Sequence, residues 1–164
     1  MVCTACDRRP FDYPMNGAAH SRVVWNLAAR LDRVVSSCQG FTGDMQIRAG
    51  NSEVRADVAM VCGIPQFHDE KREILVNPTV IFEVTSRKTE ACDRGSKFAS
   101  YQSIESVAEY VVVCSDRVRV DVFRRQPDGQ WLMNYASRME EVVELQSIGC
   151  RLALADLYEN VELA

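Results

Sequence analysis

The sequence predicts an α+β fold with α/β-like features, in which a mixed β-sheet is flanked by helices. Three observations lead to this prediction. Apolar residues recur at helical spacing in one early segment, several short runs are rich in β-branched and aromatic residues, and a second helical segment falls between those runs. The predicted order is α-β-β-β-α-β-β-β-β-α. With 164 residues and no repeat or flexible linker, the chain is expected to form one domain over 1–164, of which 1–16 are loose.

The first half of the chain supplies one helix and three strands. Apolar residues at helical spacing predict a helix over Ala18–Cys38, and two glycines follow it. Met45–Arg48 and Val54–Cys62 flank a polar, glycine-containing turn and predict a β-hairpin. Gly63–Pro78 is polar and is predicted to be a loop, and Thr79–Ser86 is the next strand.

The second half begins with a helix and continues with strands. Asp93 is a suitable N-cap for a helix that runs to about Ile104. The remaining elements are short apolar runs separated by turn residues. They are the strands Glu109–Cys114, Val118–Arg124, Trp131–Tyr135 and Val142–Leu145, and a final helix at Ala155–Tyr158.

Composition and charge restrict the class of protein. No apolar run approaches the ~20 residues that cross a bilayer, and the N-terminus lacks the features of a signal peptide. We therefore expect a cytoplasmic protein with no membrane partner. The seven cysteines are odd in number and are predicted to be reduced thiols, and no second pair completes a metal site with Cys3 and Cys6. The net charge is -4, but residues 87–125 carry eight basic and six acidic residues and are mildly basic.

Two carboxylates interrupt apolar strands. Glu83 lies in the middle of TVIFEVTS, and Asp57 lies in VRADVAMV. Carboxylates are rarely buried without a partner, and two together would repel each other. A hard cation such as Mg²⁺ or Mn²⁺ would remove this penalty, and the backbone carbonyl of Val84 could complete its ligands.

Lys97 is placed to act beside these acids. On a helix that begins near Asp93, positions 93, 97 and 101 lie almost on one stripe. A lysine beside a metal-bound water can orient that water, help to deprotonate it, or stabilise developing phosphorane charge. Two acids and a lysine suit metal-dependent phosphodiester hydrolysis. Spacing alone leaves open that the acids pair with Arg48 or Arg55 and that Lys97 is a surface residue.

The segment from Asp57 to Tyr101 also resembles the Uma-two family of restriction endonucleases, a branch of the PD-(D/E)XK nuclease superfamily. The likeness extends over roughly His20 to Leu163. The matching positions are Asp57-Val58, Asn77-Pro78, Glu83-Val84, Ser86, Thr89, Asp93-Arg94-Gly95, Lys97-Phe98 and Tyr101.

This resemblance implies a restriction-endonuclease-like core in which Asp57 and Glu83 bind the metal. The superfamily lysine usually stands two residues after the glutamate, where this chain has Thr85, so Lys97 takes its role. Four further positions are implied to support the site, with Asp93 most simply an N-cap. They are Tyr101, Asp93, Ser86 and His20.

Three basic residues cluster at the turn between strand and helix and are predicted to contact DNA phosphates. They are Arg87, Lys88 and Arg94. The expected function is therefore a metal-dependent DNA endonuclease, and a homodimer is expected because cutting both strands needs two sites. The alternative is an inactive nuclease-like protein that binds nucleic acid or a partner.

Overall fold

The computed structural model describes residues 17–163. The segment predicted to be loose, with Cys3 and Cys6, lies outside these residues. The helices of the described chain are α1 (Ala18–Val34), α2 (Glu90–Arg94), α3 (Ser96–Gln102) and α4 (Leu154–Leu157). The strands are β1 (Cys38–Thr42), β2 (Gln46–Ala49), β3 (Ser52–Arg55), β4 (Val58–Cys62), β5 (Ile74–Leu75), β6 (Val80–Thr85), β7 (Glu109–Cys114), β8 (Val120–Arg125), β9 (Trp131–Ala136), β10 (Val142–Leu145) and β11 (Cys150–Ala153).

The centre of the fold is a six-stranded sheet in the order β1-β4-β6-β7-β8-β9. The pair β6–β7 is parallel and the other neighbours in this sheet are antiparallel. Two smaller sheets, β3-β2-β5 and β10-β11, accompany it. The prediction of a mixed sheet with flanking helices is confirmed.

Side chains alternate between the two faces of the central sheet and form two separate cores. One core, on what we term the α1 face, includes Leu27 of α1 and Phe82 of β6. The other core, on the α3 face, includes Ile81 of β6, Tyr101 of α3 and Tyr110 of β7. Odd-numbered positions of β6 therefore lie on the α3 face, which is where Glu83 belongs.

The strand predicted over Val54–Cys62 is two strands in different sheets. The chain changes direction at 56–57, so β3 pairs with β2 while β4 pairs with β1 and β6. Burial explains the division, because β3 is largely exposed whereas the first four residues of β4 are buried. The predicted helix Ala18–Cys38 also ends early, at Val34, because the polar segment after it forms the edge strand β1.

The helix predicted to start at Asp93 is also two helices, α2 and α3, which meet at Gly95. Asp93 is a buried residue inside α2, so its prediction as an N-cap is wrong. A Cβ atom on Gly95 would lie 2.8 Å from the Ala91 carbonyl oxygen. Because glycine has no Cβ atom, the backbone at residue 95 can lie close to the Ala91 carbonyl, and the chain can turn there from α2 into α3.

One cysteine pair contradicts the prediction of reduced thiols. Cys38 and Cys62 face each other in the β1–β4 register and form a disulfide across a sequence separation of 24. Cys114 and Cys150 are free and buried. Within residues 17–163, no helix combines the length and apolar character that a bilayer span requires.

Candidate active site

Asp57 and Glu83 meet on the α3 face of the central sheet. The antiparallel register of β4 and β6 pairs Val58 with Phe82, and one further step along it aligns Asp57 with Glu83. The two acids share the face on which Ile81 packs, because alternate residues of a strand point the same way. The backbone N–H of Val84 donates a hydrogen bond of 2.7 Å to Oδ2 of Asp57, which fixes this carboxylate beside β6.

Glu83 is 2% exposed, and two side chains of α3 donate to its carboxylate. Nζ of Lys97 lies 2.8 Å from Oε1, and the Tyr101 hydroxyl donates to the same oxygen at 2.6 Å. Burial raises the pKa of Glu83 to about 8; Lys97 opposes this rise, and the charges of Asp57 and Asp93 add to it. The site therefore holds more negative charge than its lysine neutralises.

Lys97 lies between two acids. Besides its contact with Glu83, Nζ is 3.5 Å from Oδ1 of the buried Asp93. Burial alone would lower the pKa of Lys97, but the charges of Glu83 and Asp93 outweigh burial and raise it. Lys97 is therefore an ammonium ion at neutral pH. The surface-residue alternative is excluded by these contacts.

His20, from the first turn of α1, approaches the other acid. Its Nε2 lies 3.4 Å from Oδ2 of Asp57. Burial would raise the pKa of Asp57, but His20, the Val84 amide and Lys97 together lower it. The two carboxylates thus have pKa values shifted in opposite directions, downward for Asp57 and upward for Glu83.

Hydrogen bonds within the β6–α2 turn, and one from β7, hold α2 in place beside the two acids. The carbonyl of Ser86 accepts hydrogen bonds from the N–H groups of Thr89 (3.0 Å) and Glu90 (2.9 Å). The Thr89 hydroxyl accepts from the Ser86 N–H at 3.2 Å. The Tyr110 hydroxyl donates to the backbone carbonyl of Asp93 at 2.8 Å and anchors α2 to β7. Ser86 takes part through its backbone.

The three basic residues predicted to bind phosphates are placed differently. Arg87 has an 82% exposed side chain and Lys88 is also exposed. Arg94 instead donates to Glu90 at 2.8 Å and forms an ion pair with Asp121. Arg94 is therefore committed to internal contacts, and the structure does not bring it together with the other two at the surface.

Asp121 is a residue that sequence reasoning missed. It is fully buried on β8, where Arg94 and Arg119 hold its carboxylate, the latter with Nε 3.0 Å from Oδ1. The signal was present, because Asp121 interrupts the apolar run VRVDVF as Glu83 interrupts its strand. The same signal would have found Glu109 on β7.

Each of the two facing acids has one carboxylate oxygen without a donor among the residues that the structure describes. Within residues 17–163, no protein group donates a hydrogen bond to Oδ1 of Asp57 or Oε2 of Glu83. This part of the chain contains no cluster of three or more His, Cys, Asp or Glu side chains suited to a metal. A cation at the two acids would therefore take further ligands from backbone oxygen or water, as Mg²⁺ commonly does.

The chain is similar to one family model and to two proteins of known sequence. A family model described as "Putative restriction endonuclease" (Uma2) matches residues 6–155. Two uncharacterized proteins of Synechocystis sp. are each 30% identical, one over 91% of this chain and 80% of its own, the other over 73% and 71%.

A solved structure shares the fold. It is the crystal structure of a "putative nuclease belonging to DUF820" from Anabaena variabilis, with a TM-score of 0.71 and 18% identity. The similarity covers 88% of this chain and 83% of that one. The family model spans most of the chain, the two relatives are each 30% identical over most of it, and the fold matches. The chain therefore belongs to the Uma2 family of restriction-endonuclease-like proteins.

Proposed function

We propose that this protein is a metal-dependent endonuclease that hydrolyses phosphodiester bonds in DNA, with Mg²⁺ or Mn²⁺ held by Asp57 and Glu83. One observation carries the proposal. Glu83 on β6 and Asp57 immediately before β4 share one face of the sheet, and each carboxylate retains an oxygen without a protein donor within residues 17–163. The family description and the name of the Anabaena structure point to the same class of enzyme.

The donor set suits a hard cation. Carboxylate and carbonyl oxygens are the ligands that Mg²⁺ prefers. The N–H and C=O of a strand residue point to the same side of the strand. Since the Val84 N–H reaches Asp57, the Val84 carbonyl also faces the β4 side, beyond the last β4–β6 pair at Val58. This supports Val84 as the third oxygen ligand.

The raised pKa of Glu83 supports the same assignment. Its cause is burial close to other negative charges, which a bound cation would offset. When bound, the cation would lower the pKa of a water ligand and polarise the phosphate.

Lys97 supplies a fixed positive charge at this position. Because its pKa is raised, Lys97 acts as an ammonium that orients the attacking water and stabilises developing phosphorane charge, rather than as the base. Its hydrogen bond to Oε1 of Glu83 fixes Nζ next to the metal ligand.

Three further residues position the reacting groups. Tyr101 holds Oε1 of Glu83 and so sets the direction of the other carboxylate oxygen. His20 does the same for Asp57. Asp93 holds Lys97 from its second side.

DNA enters through the exposed turn between β6 and α2. Arg87 and Lys88 contact phosphates there, which positions the duplex without reading its sequence. Cleavage of both strands needs two such sites, and we propose that a homodimer provides them.

The test is nicking of supercoiled plasmid by purified protein with Mg²⁺, Mn²⁺ or EDTA. We expect cleavage with either metal, none with EDTA, and none by Asp57→Asn with any of the three. Arg138→Ala, a substitution of an exposed residue paired with Glu141, is the matched control and should cleave normally. Binding of DNA by wild-type protein without cleavage under any of these conditions would instead favour the alternative, a non-cleaving protein on a nuclease fold.

A further inference from the structure

A row of side chains runs across the central sheet from the proposed site to its β9 edge. Glu83 pairs with Val112 of β7, Val112 with Asp121 of β8, and Asp121 with Tyr135 of β9. Because paired residues point to the same face of a sheet, Tyr135 lies on the α3 face with Glu83. Three strand spacings of ~4.8 Å separate the two residues by ~14 Å.

Tyr135 carries a guanidinium on its ring. The Arg119 guanidinium carbon lies 4.5 Å from the ring centroid. Arg119 is held in place because its Nε also pairs with the fully buried Asp121 at 3.0 Å. Tyr135 nevertheless remains 60% exposed. A guanidinium and an aromatic ring are therefore already in contact here, and most of the Tyr135 side chain remains accessible to solvent.

The surroundings favour a polyanion. In three ion pairs of this region the cation is the more exposed member: Arg87 is 82% exposed against 19% for Asp116, and Arg119 is 32% exposed against 0% for Asp121. Arg117 is 32% exposed against 25% for its partner Glu90. At these three pairs the positive member is therefore the one that solvent, or a polyanion, can reach more easily.

We infer that Tyr135 and Arg119 form a stacking surface for an unpaired base of the DNA. Aromatic rings and arginine planes bind bases of any sequence by stacking. In a continuous duplex the base faces are covered, so this surface fits single-stranded DNA, a flap or a frayed end. The location of the cut relative to this base rests on the proposed function. At ~3.4 Å per base step, the stacked base would lie about four steps from the phosphate at Asp57 and Glu83.

The experiment measures binding in EDTA, where no cleavage occurs. A single-stranded oligonucleotide containing 2-aminopurine reports stacking through quenching of its fluorescence, and a duplex closed by hairpins at both ends offers no free base. The proteins are wild type, Tyr135→Phe, Tyr135→Ala and the control Leu132→Ala. Leu132 is 49% exposed and lies on the opposite face of β9.

We expect Tyr135→Ala to weaken single-strand binding by about ten-fold and to abolish the quenching. Tyr135→Phe and Leu132→Ala should behave like wild type, and binding of the closed duplex should not change. Because Tyr135 is exposed, all four proteins should fold alike, which thermal melting checks.

Three results would overturn the inference. Unchanged single-strand binding by Tyr135→Ala would mean that the ring does not stack. Equal losses for the single strand and the closed duplex would mean a phosphate contact. A change of oligomeric state in sedimentation would mean a protein interface. Failure of plasmid cleavage by wild type would overturn the proposed endonuclease without altering this binding result.

Discussion

Two glutamates on neighbouring parallel strands are almost equally buried and differ in how their oxygens are used. Glu109 of β7 is 0% exposed and Glu83 of β6 is 2% exposed. Oε1 of Glu109 accepts from Arg124 at 2.8 Å and from the Gln146 N–H at 3.1 Å. Oε2 of Glu109 accepts from the Ser147 N–H at 3.0 Å and from the Ser147 hydroxyl. Glu83 uses only Oε1 among the described residues, for Lys97 and Tyr101.

Among the described residues, the difference separates a carboxylate whose two oxygens both have donors from one that has donors on a single oxygen, which is the one we propose as a metal ligand. A buried acid whose oxygens all have donors is satisfied by the protein itself. The described residues donate to only one oxygen of Glu83, and its pKa is raised because burial and neighbouring acids leave its charge under-compensated. Burial alone therefore does not distinguish the two acids. The hydrogen-bond donors around each carboxylate do.

The largest effect should follow from removing a proposed ligand. Asp57→Asn and Glu83→Gln should each lower plasmid cleavage by at least ~10³-fold, because the metal contributes several kcal/mol of transition-state stabilisation. The measurement is nicking with Mg²⁺ under single-turnover conditions. Glu109→Gln, assayed where it is fully folded, should cleave normally; a comparable loss in that variant would remove the distinction between the two glutamates.

The free energy of unfolding should fall more in Glu109→Gln than in Glu83→Gln, which is the reverse of the order expected for cleavage. Glu109→Gln leaves the Arg124 guanidinium without its buried partner and should lower the free energy of unfolding by roughly 3 kcal/mol. Glu83→Gln should change it far less, because the side chain loses a charge that burial disfavours and Lys97 keeps Asp93 as an acidic partner. Urea denaturation of both variants without metal tests this. A lower free energy of unfolding for Glu83→Gln than for Glu109→Gln would contradict the assignment of Glu109 as the structural acid.

Substitution of Lys97 should affect cleavage but not metal affinity. Lys97→Met should lower cleavage on the order of 10²-fold, since a positioned charge-stabilising group contributes about that much. The affinity for Mn²⁺, measured by calorimetry, should change little because Lys97 is not a ligand. Lys97→Arg should not restore the rate, because a planar guanidinium does not occupy the same point. Wild-type cleavage by Lys97→Met would restrict Lys97 to a structural role.

The smallest effect concerns the exposed basic turn. Replacing Arg87 and Lys88 with Ala should weaken DNA binding and reduce the slope of log K against log salt concentration by roughly 2, about 0.9 for each lost phosphate contact. The matched control replaces Arg138 and Arg151, which are exposed and 75% and 73% accessible. An equal change in both double variants would show that net charge, not position, determines binding.

Local patterns in the sequence predicted much of the fold. The strands Glu109–Cys114 and Val142–Leu145 have the predicted bounds, because short apolar runs between turn residues determine them. The juxtaposition of Asp57 and Glu83 was also predictable, since both acids interrupt apolar runs of the sequence. The edge strand β1 was missed because its residues are polar and its pairing partner is 24 residues distant at Cys38 and Cys62.

Other features depended on partners that are remote in the sequence. Whether an acid in a strand is saturated or free is decided by residues far along the chain, such as Ser147 for Glu109. Sequence reasoning could therefore find Glu83 without distinguishing its role from that of Glu109 or Asp121. The commitment of Arg94 to Asp121 was hidden for the same reason.

Gly95 has a consequence for reading mutational screens. The tight junction at Gly95 sets the position of α3 as a unit, and α3 carries both side chains that hold Glu83. An alanine there would have to push Ala91 and α3 apart, moving Lys97 and Tyr101 together. In a saturation screen for activity, Gly95 should therefore score as severely as the charged residues of the site, although it has no side chain with which to touch DNA.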